Sequence, residues 1–133
     1  MVFGTFDILH PGHLYLFNKA KKFGDYLVAV IARDSTVDKI KHRNPQNNEK
    51  ARLAKAKECK EIDEAVLGDE SDYYKVIEEY KPNVICLGYD QHSFISKELQ
   101  EEMLKRGLTA KIVRIGPYKE DIYKSSKLRG KDD

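Results

Sequence analysis

Two histidines, His10 and His13, lie three residues apart in the stretch GTFDILHPGH that runs from Gly4 to His13. Pro11 and Gly12 stand between them. Proline suits the first turn of a helix, because the amide hydrogen it lacks would find no partner there. The stretch therefore reads as the end of a strand, a turn and the start of a helix. The free amides of that first turn, with the helix dipole, favour an anion. Two imidazoles at the same mouth add two hydrogen-bond donors, and a protonated one donates roughly twice as strongly. The competing reading makes His10 a helix cap and His13 a surface residue. A metal centre has less support, since the pair supplies two ligands and the sequence nearby offers no convincing third.

The elements that must position this mouth follow from periodicity. Leu14, Phe17, Ala20 and Lys21 fall on a helical period, and Gly24 stops that helix. The run from Tyr26 to Ala32 in DYLVAVIARD is unbroken and apolar, as in a strand covered on both faces. A helix follows from about Glu49 to Cys59, then a short strand in EAVLGD. The stretch SDYYKVIEEYKP predicts a helix with Tyr73, Ile77 and Tyr80 on one face, capped by Ser71 or Asp72 and ended by Pro82. NVICLG reads as another buried strand, and Ile95, Leu99 and Met103 mark a helix that breaks at Gly107. AKIVRI alternates like an edge strand, and a last short helix begins near Ser125. Strict alternation of strand and helix predicts an α/β, Rossmann-like doubly wound sheet of about five parallel strands, with helices on both faces. Ligands of such sheets collect at the carboxyl ends of strands where connections diverge, which is where Gly4–Asp7 leaves the first strand. That strand is short, Met1 to Phe3, against about five to six residues for a usual strand. A native N-terminus longer by a few residues is therefore expected.

The chain's 133 residues predict a single domain over 1–133. A net charge of +2 is too small to imply a nucleic-acid partner. The sequence has no apolar run able to span a bilayer and no signal-peptide pattern, so no membrane partner is expected and the cytoplasm is the expected compartment. Cys59 and Cys86 lack a C-x-x-C spacing and read as buried thiols in a reducing environment. The polar patch KHRNPQNNEK, Lys41 to Lys50, reads as a mobile loop whose cations act locally on an anionic substrate.

GTFDILHPGH resembles the H-x-G-H signature of the nucleotidyltransferase superfamily, in the GTFD form found in cytidylyltransferases. The likeness extends along almost the whole chain: FGDYLVAVIARD resembles the family's second strand, IKHRN its basic loop, EKAR its arginine-bearing helix start, LGYDQ its fourth-strand end and YKSSKL its closing Ser/Thr motif. Within the superfamily, ARDSTVDKIK with LGYDQ is most similar to the archaeal FAD synthases, which adenylylate FMN.

The resemblance implies direct in-line attack of an acceptor phosphate on the α-phosphate of a nucleoside triphosphate, with loss of pyrophosphate and no covalent enzyme intermediate. Alignment and charge stabilisation are then the protein's task. By resemblance, His10 and His13 donate to the triphosphate and Lys41 joins them as a catalytic group, with Arg43 at the second basic position of the loop. Gly4, Thr5, Phe6, Gly88, Asp90 and Gln91 are implied around the nucleotide, with Tyr89 beside them, and Ser125 and Ser126 at its outer phosphates. Gln91 stands where cytidylyltransferases commonly carry an aromatic, a departure that favours ATP over CTP. Lys119 replaces the family's arginine, keeping the charge but losing the bidentate fork. Arg52 is either a phosphate contact or a helix-surface charge; Asp7 is either a carboxylate that holds a divalent cation through water or a turn carboxylate. Mg2+ or another divalent cation is expected to arrive with the nucleotide rather than in a protein-made metal site. ATP and FMN are the implied partners, with a possible homodimer. One alternative is a CTP-dependent transferase acting on glycerol 3-phosphate or a similar small phosphate. The other is a non-catalytic nucleotide-binding module.

Overall fold

A computed structural model describes residues 1–41, 45–88 and 93–116, with the backbone alone for residues 39–41 and 93–97. The elements run β1 (Val2–Gly4), α1 (Pro11–Lys21), β2 (Val28–Ile31), α2 (Asp34–Lys41), α3 (Glu49–Lys57), β3 (Glu64–Leu67), α4 (Lys75–Tyr80), β4 (Val84–Leu87), α5 (Ser93–Lys105) and β5 (Lys111–Arg114). The five strands form one parallel sheet in the order β3-β2-β1-β4-β5. The expected α/β architecture is the one observed, with β5 at an edge as its alternating pattern required.

Strand β2 explains its own apolar run. Ala29 and Ile31 point into a core with Phe17, Ala20, Ala56 and Ile62, while Val28 and Val30 point into a second core with Val76, Ile77, Leu99 and Met103. Successive side chains leave a strand on opposite faces, so a strand covered on both sides has no position left for a polar residue. The chain moves outward from β1 through β2 to β3, then returns to β4 on the other flank of β1. The switch point lies between β1 and β4, where the sheet offers its ligand crevice. The turn after Gly4 and the end of β4 before Gly88 both open there.

Several boundaries differ from the periodicity. Helix α2, with Asp34 in its first turn, falls on residues to which the sequence reading assigned no element, and it takes in Lys41, expected as the first residue of the loop. Helix α1 ends at Lys21, where Lys22 caps it, before Gly24 is reached. Helix α4 starts at Lys75 with no side-chain cap, because Asp72 takes the Tyr74 amide instead and faces Arg106. Its core face is Val76 and Ile77, whereas Tyr73 and Tyr80 stay exposed. The Tyr80 hydroxyl donates to Glu64 at 2.7 Å, a bond that holds the ring at the surface and pushes its pKa up to about 12. Cys86 is buried as expected, but Cys59 is only half-buried, with Sγ 3.2 Å from Glu61. Burial pushes both thiols above their ordinary range. The helix expected near Ser125 lies outside the described residues. Among the described residues, no helix is long and apolar enough to cross a membrane.

Candidate active site

The junction of β1 and α1 is built by two glycines and two rings. Phe6 adopts a left-handed backbone, φ 50°, which an L residue seldom occupies. That twist turns its ring back over Gly4, where a Cβ would come within 2.6 Å of it. The ring is 2% exposed and meets the His13 ring edge-on at a centroid distance of 5.3 Å, with Phe17 at 5.3 Å. Phe6 thus enters the site as a floor beneath His13.

Gly12 has the same use one turn later. A Cβ there would lie 2.8 Å from His10 Cε1, so only glycine lets that ring fold back over the helix start. His10 is the N-cap: its Nδ1 accepts from the Gly12 amide at 3.1 Å. His13 Nδ1 accepts from the His10 amide at 3.2 Å, closing a reciprocal cap. Because both Nδ1 atoms accept, each neutral ring carries its proton on Nε2. The rings stack at a centroid distance of 3.9 Å, tilted by 31°. His13 is 6% exposed, which removes the reading of it as a surface residue. The capping reading of His10 holds for Nδ1, and it is what aims Nε2.

The first-turn amides are not free, contrary to expectation. Gly12 donates to His10 Nδ1, and the His13 amide donates to the His10 carbonyl at 2.9 Å. A helix mouth without an acidic residue still presents its positive end, while Lys19 and Lys21 complement the negative end in the last turn. With these amides engaged, the side-chain donors at the mouth are the imidazoles.

Arg52, on α3, is neither a surface charge nor open to a phosphate. Its side chain is fully buried, at 0% exposure. Nη1 donates to the carbonyls of Thr5 (3.0 Å) and Ala32 (2.8 Å), Nε to that of Asn47 (3.0 Å), and Nη2 to the Asp34 carboxylate (2.6 Å). Asp7 is equally engaged. Its carboxylate accepts from the Gln46 amide (2.7 Å), the Asn47 amide (2.9 Å) and the Asn47 side-chain amide (3.1 Å). Three of roughly four acceptor sites are thus taken by nitrogen donors. This does not suit a cation-holding carboxylate, and among the described residues no group of three or more His, Cys, Asp and Glu side chains could hold a metal.

Thr5 is buried beside this network, and Gly4 pairs with Ile31 in the sheet. Gly88 follows β4, and its carbonyl accepts from Arg114 at 2.8 Å. Lys41 closes α2, described by its backbone alone. Arg43, Tyr89, Asp90, Gln91, Lys119, Ser125 and Ser126 lie outside the described residues. Asn47 and Asp34 escaped sequence reasoning, although Asn47 stands just before the cap of α3 and Asp34 opens α2, places where a polar side chain commonly serves the backbone.

The family model for cytidylyltransferase-like proteins matches residues 1–131. A protein of Aciduliprofundum boonei named FAD synthase is 49% identical over 118 residues, 89% of this chain and 78% of its own length. The FAD synthase of Thermoplasma volcanium is 47% identical over 131 residues, 98% of this chain and 91% of that protein. Among solved structures, one titled as the lipopolysaccharide core biosynthesis protein of the same Thermoplasma species superposes with a TM-score of 0.83 at 48% identity, covering 89% of this chain and 95% of the other. The histidine mouth on this sheet and these likenesses agree: the chain is a nucleotidyltransferase of the cytidylyltransferase-like family and belongs with its FAD synthases.

Proposed function

We propose that this chain transfers AMP from ATP to FMN, yielding FAD and pyrophosphate. One phosphate oxygen of FMN attacks the α-phosphorus of ATP; that P–O bond forms as the bond to the β-phosphate bridge breaks, and pyrophosphate leaves. The observation that carries this reading is the histidine pair, stacked at 3.9 Å with both Nδ1 atoms engaged by the backbone. Their Nε2 protons are donors for the charge that grows on the phosphate oxygens, on rings already fixed by the backbone bonds to Nδ1.

The remaining assignments rest on motif position. Lys41 and Arg43 neutralise the phosphates, and Ser125, Ser126 and Lys119 hold the outer ones. Gly88, Tyr89, Asp90 and Gln91 line the base and ribose, while Gly4, Thr5 and Phe6 shape the turn against the nucleotide. A divalent cation, supplied on the triphosphate, spreads its charge when bound.

The test is direct. Purified chain is incubated with ATP or CTP and with FMN or glycerol 3-phosphate, and the products are separated by chromatography. FAD from ATP and FMN is the expected product. CDP-glycerol without FAD would replace the reading with a cytidylyltransferase. Tight ATP binding with no pyrophosphate release would leave a nucleotide-binding module.

A further inference from the structure

We propose that Arg52, Asn47 and Asp7 form a brace that sets the height and angle of the His13 ring, making all three positioning residues rather than phosphate or metal ligands. The proposal rests on the reading of His13 as a donor to the reacting phosphate.

The hydrogen bonds close a circuit around one strained residue. Arg52 holds the Thr5 carbonyl on one side of Phe6. On the other side, the Asn47 side-chain amide donates to the Asp7 carbonyl at 3.0 Å, and the Asp7 carboxylate takes the amides of Gln46 and Asn47. Arg52 then returns to the Asn47 carbonyl, joining the two sides. Phe6, between them, sits in the left-handed region at φ 50°. Such a conformation persists only where its surroundings over-determine it. Released from the brace, Phe6 would relax and its ring would leave the edge of His13. Arg52 also ties in Ala32 and Asp34, so the ends of β1 and β2 and the start of α2 share one anchor. A guanidinium suits this work, because its rigid fork of donors reaches several carbonyls that an ammonium cannot span.

The decisive variant is Asp7→Asn. Its amide turns an N–H toward either Gln46 or Asn47, setting donor against donor at a site that accepts three. Asn47→Ala removes the same link from the other side, and Arg52→Lys tests the hub while keeping its charge. Two readouts are followed in each variant that remains folded. The first is the NMR position of the His13 ring protons, which feel the His10 and Phe6 rings and need no substrate. The second is FAD formation, with kcat, KM and the Mg2+ requirement measured separately.

The expected result is a moved His13 signal and a kcat loss of about 10²-fold, the size that a misplacement of about 1 Å can produce. KM and the Mg2+ concentration for half-maximal rate stay at their original values. Added to His13→Ala, Asp7→Asn lowers kcat little further, because both act through one ring. The brace is overturned if Asp7→Asn leaves the His13 signal and kcat unchanged. It is also overturned if the variant raises the Mg2+ requirement with the signal unmoved, the behaviour of a cation-holding carboxylate. A moved signal in a protein whose unaltered form makes no FAD would sustain the brace and sink the reaction.

Discussion

Arg52 and Arg106 both engage neighbours through all three guanidinium nitrogens, yet their partners differ in kind. Arg52 is fully buried and spends three of its bonds on backbone carbonyls, with one carboxylate for charge. Arg106 keeps 21% of its side chain exposed, lies over the Tyr74 ring at 5.5 Å, and pairs its nitrogens with carboxylates: a fork onto Asp72, Glu102 one turn back, and Glu78 at 3.2 Å. The carboxylate cluster joins the end of α5 to the approach and body of α4. The carbonyl hub joins three segments distant in sequence at the crevice, at Thr5, at Ala32 to Asp34 and at Asn47 to Arg52. Carboxylates can re-form around water or another cation. Carbonyls on fixed backbone cannot, so a guanidinium that satisfies them dictates where the backbone lies.

Replacing Arg52 with Met should give the largest effect. Stranding the carbonyls and Asp34 is expected to cost about 3–5 kcal/mol, in the range for breaking a buried charged network, read from denaturant midpoints. Equal losses for Arg52→Met and Arg106→Met would erase the contrast. His13→Ala comes next: kcat should fall by about 10²–10³-fold, the usual result of losing one preorganised donor. Its stability should fall by only about 1 kcal/mol, since the reciprocal cap goes with the ring. Arg106→Met should cost far less stability than Arg52→Met, being partly exposed and screened by solvent, and leave the rate of FAD formation unchanged.

The smallest effect is a pH dependence. The Arg106 guanidinium holds the Asp72 carboxyl below its ordinary value of 3.8. A depressed carboxyl contributes stability that is present above that ordinary value and is lost as pH falls through the folded one. The stability gap between the unaltered protein and Asp72→Asn should therefore be constant near neutrality and close below about pH 4. A gap that widened on acidification would contradict the pairing.

The sequence carried the sheet legibly, because burial on two faces leaves an unmistakable apolar run such as Val28–Ile31. It carried the histidine mouth too, since Pro11 and Gly12 announce a helix start and a close approach. What it concealed were bonds between a side chain and a distant backbone. Nothing in the letters around Arg52 says that Thr5 and Ala32 lie above it, and a lone arginine on a lysine-rich helix looks like surface. Asp7 was open to a cation or to a turn for the same reason: its partners sit 39 and 40 positions away. Helix α2 escaped because its apolar positions, Val37 and Ile40, are too few to show a period against the polar residues around them.

Gly4 and Phe6 share a single volume. Any side chain grown on the former must displace the benzyl group of the latter, and that group props up an imidazole. The two positions should consequently vary together: enlarging Gly4 to Ala would inactivate on its own, and trimming Phe6 to a smaller aliphatic beside it would restore room without restoring the prop. A transplant of the histidine motif into another sheet would need this pair as well as the imidazoles.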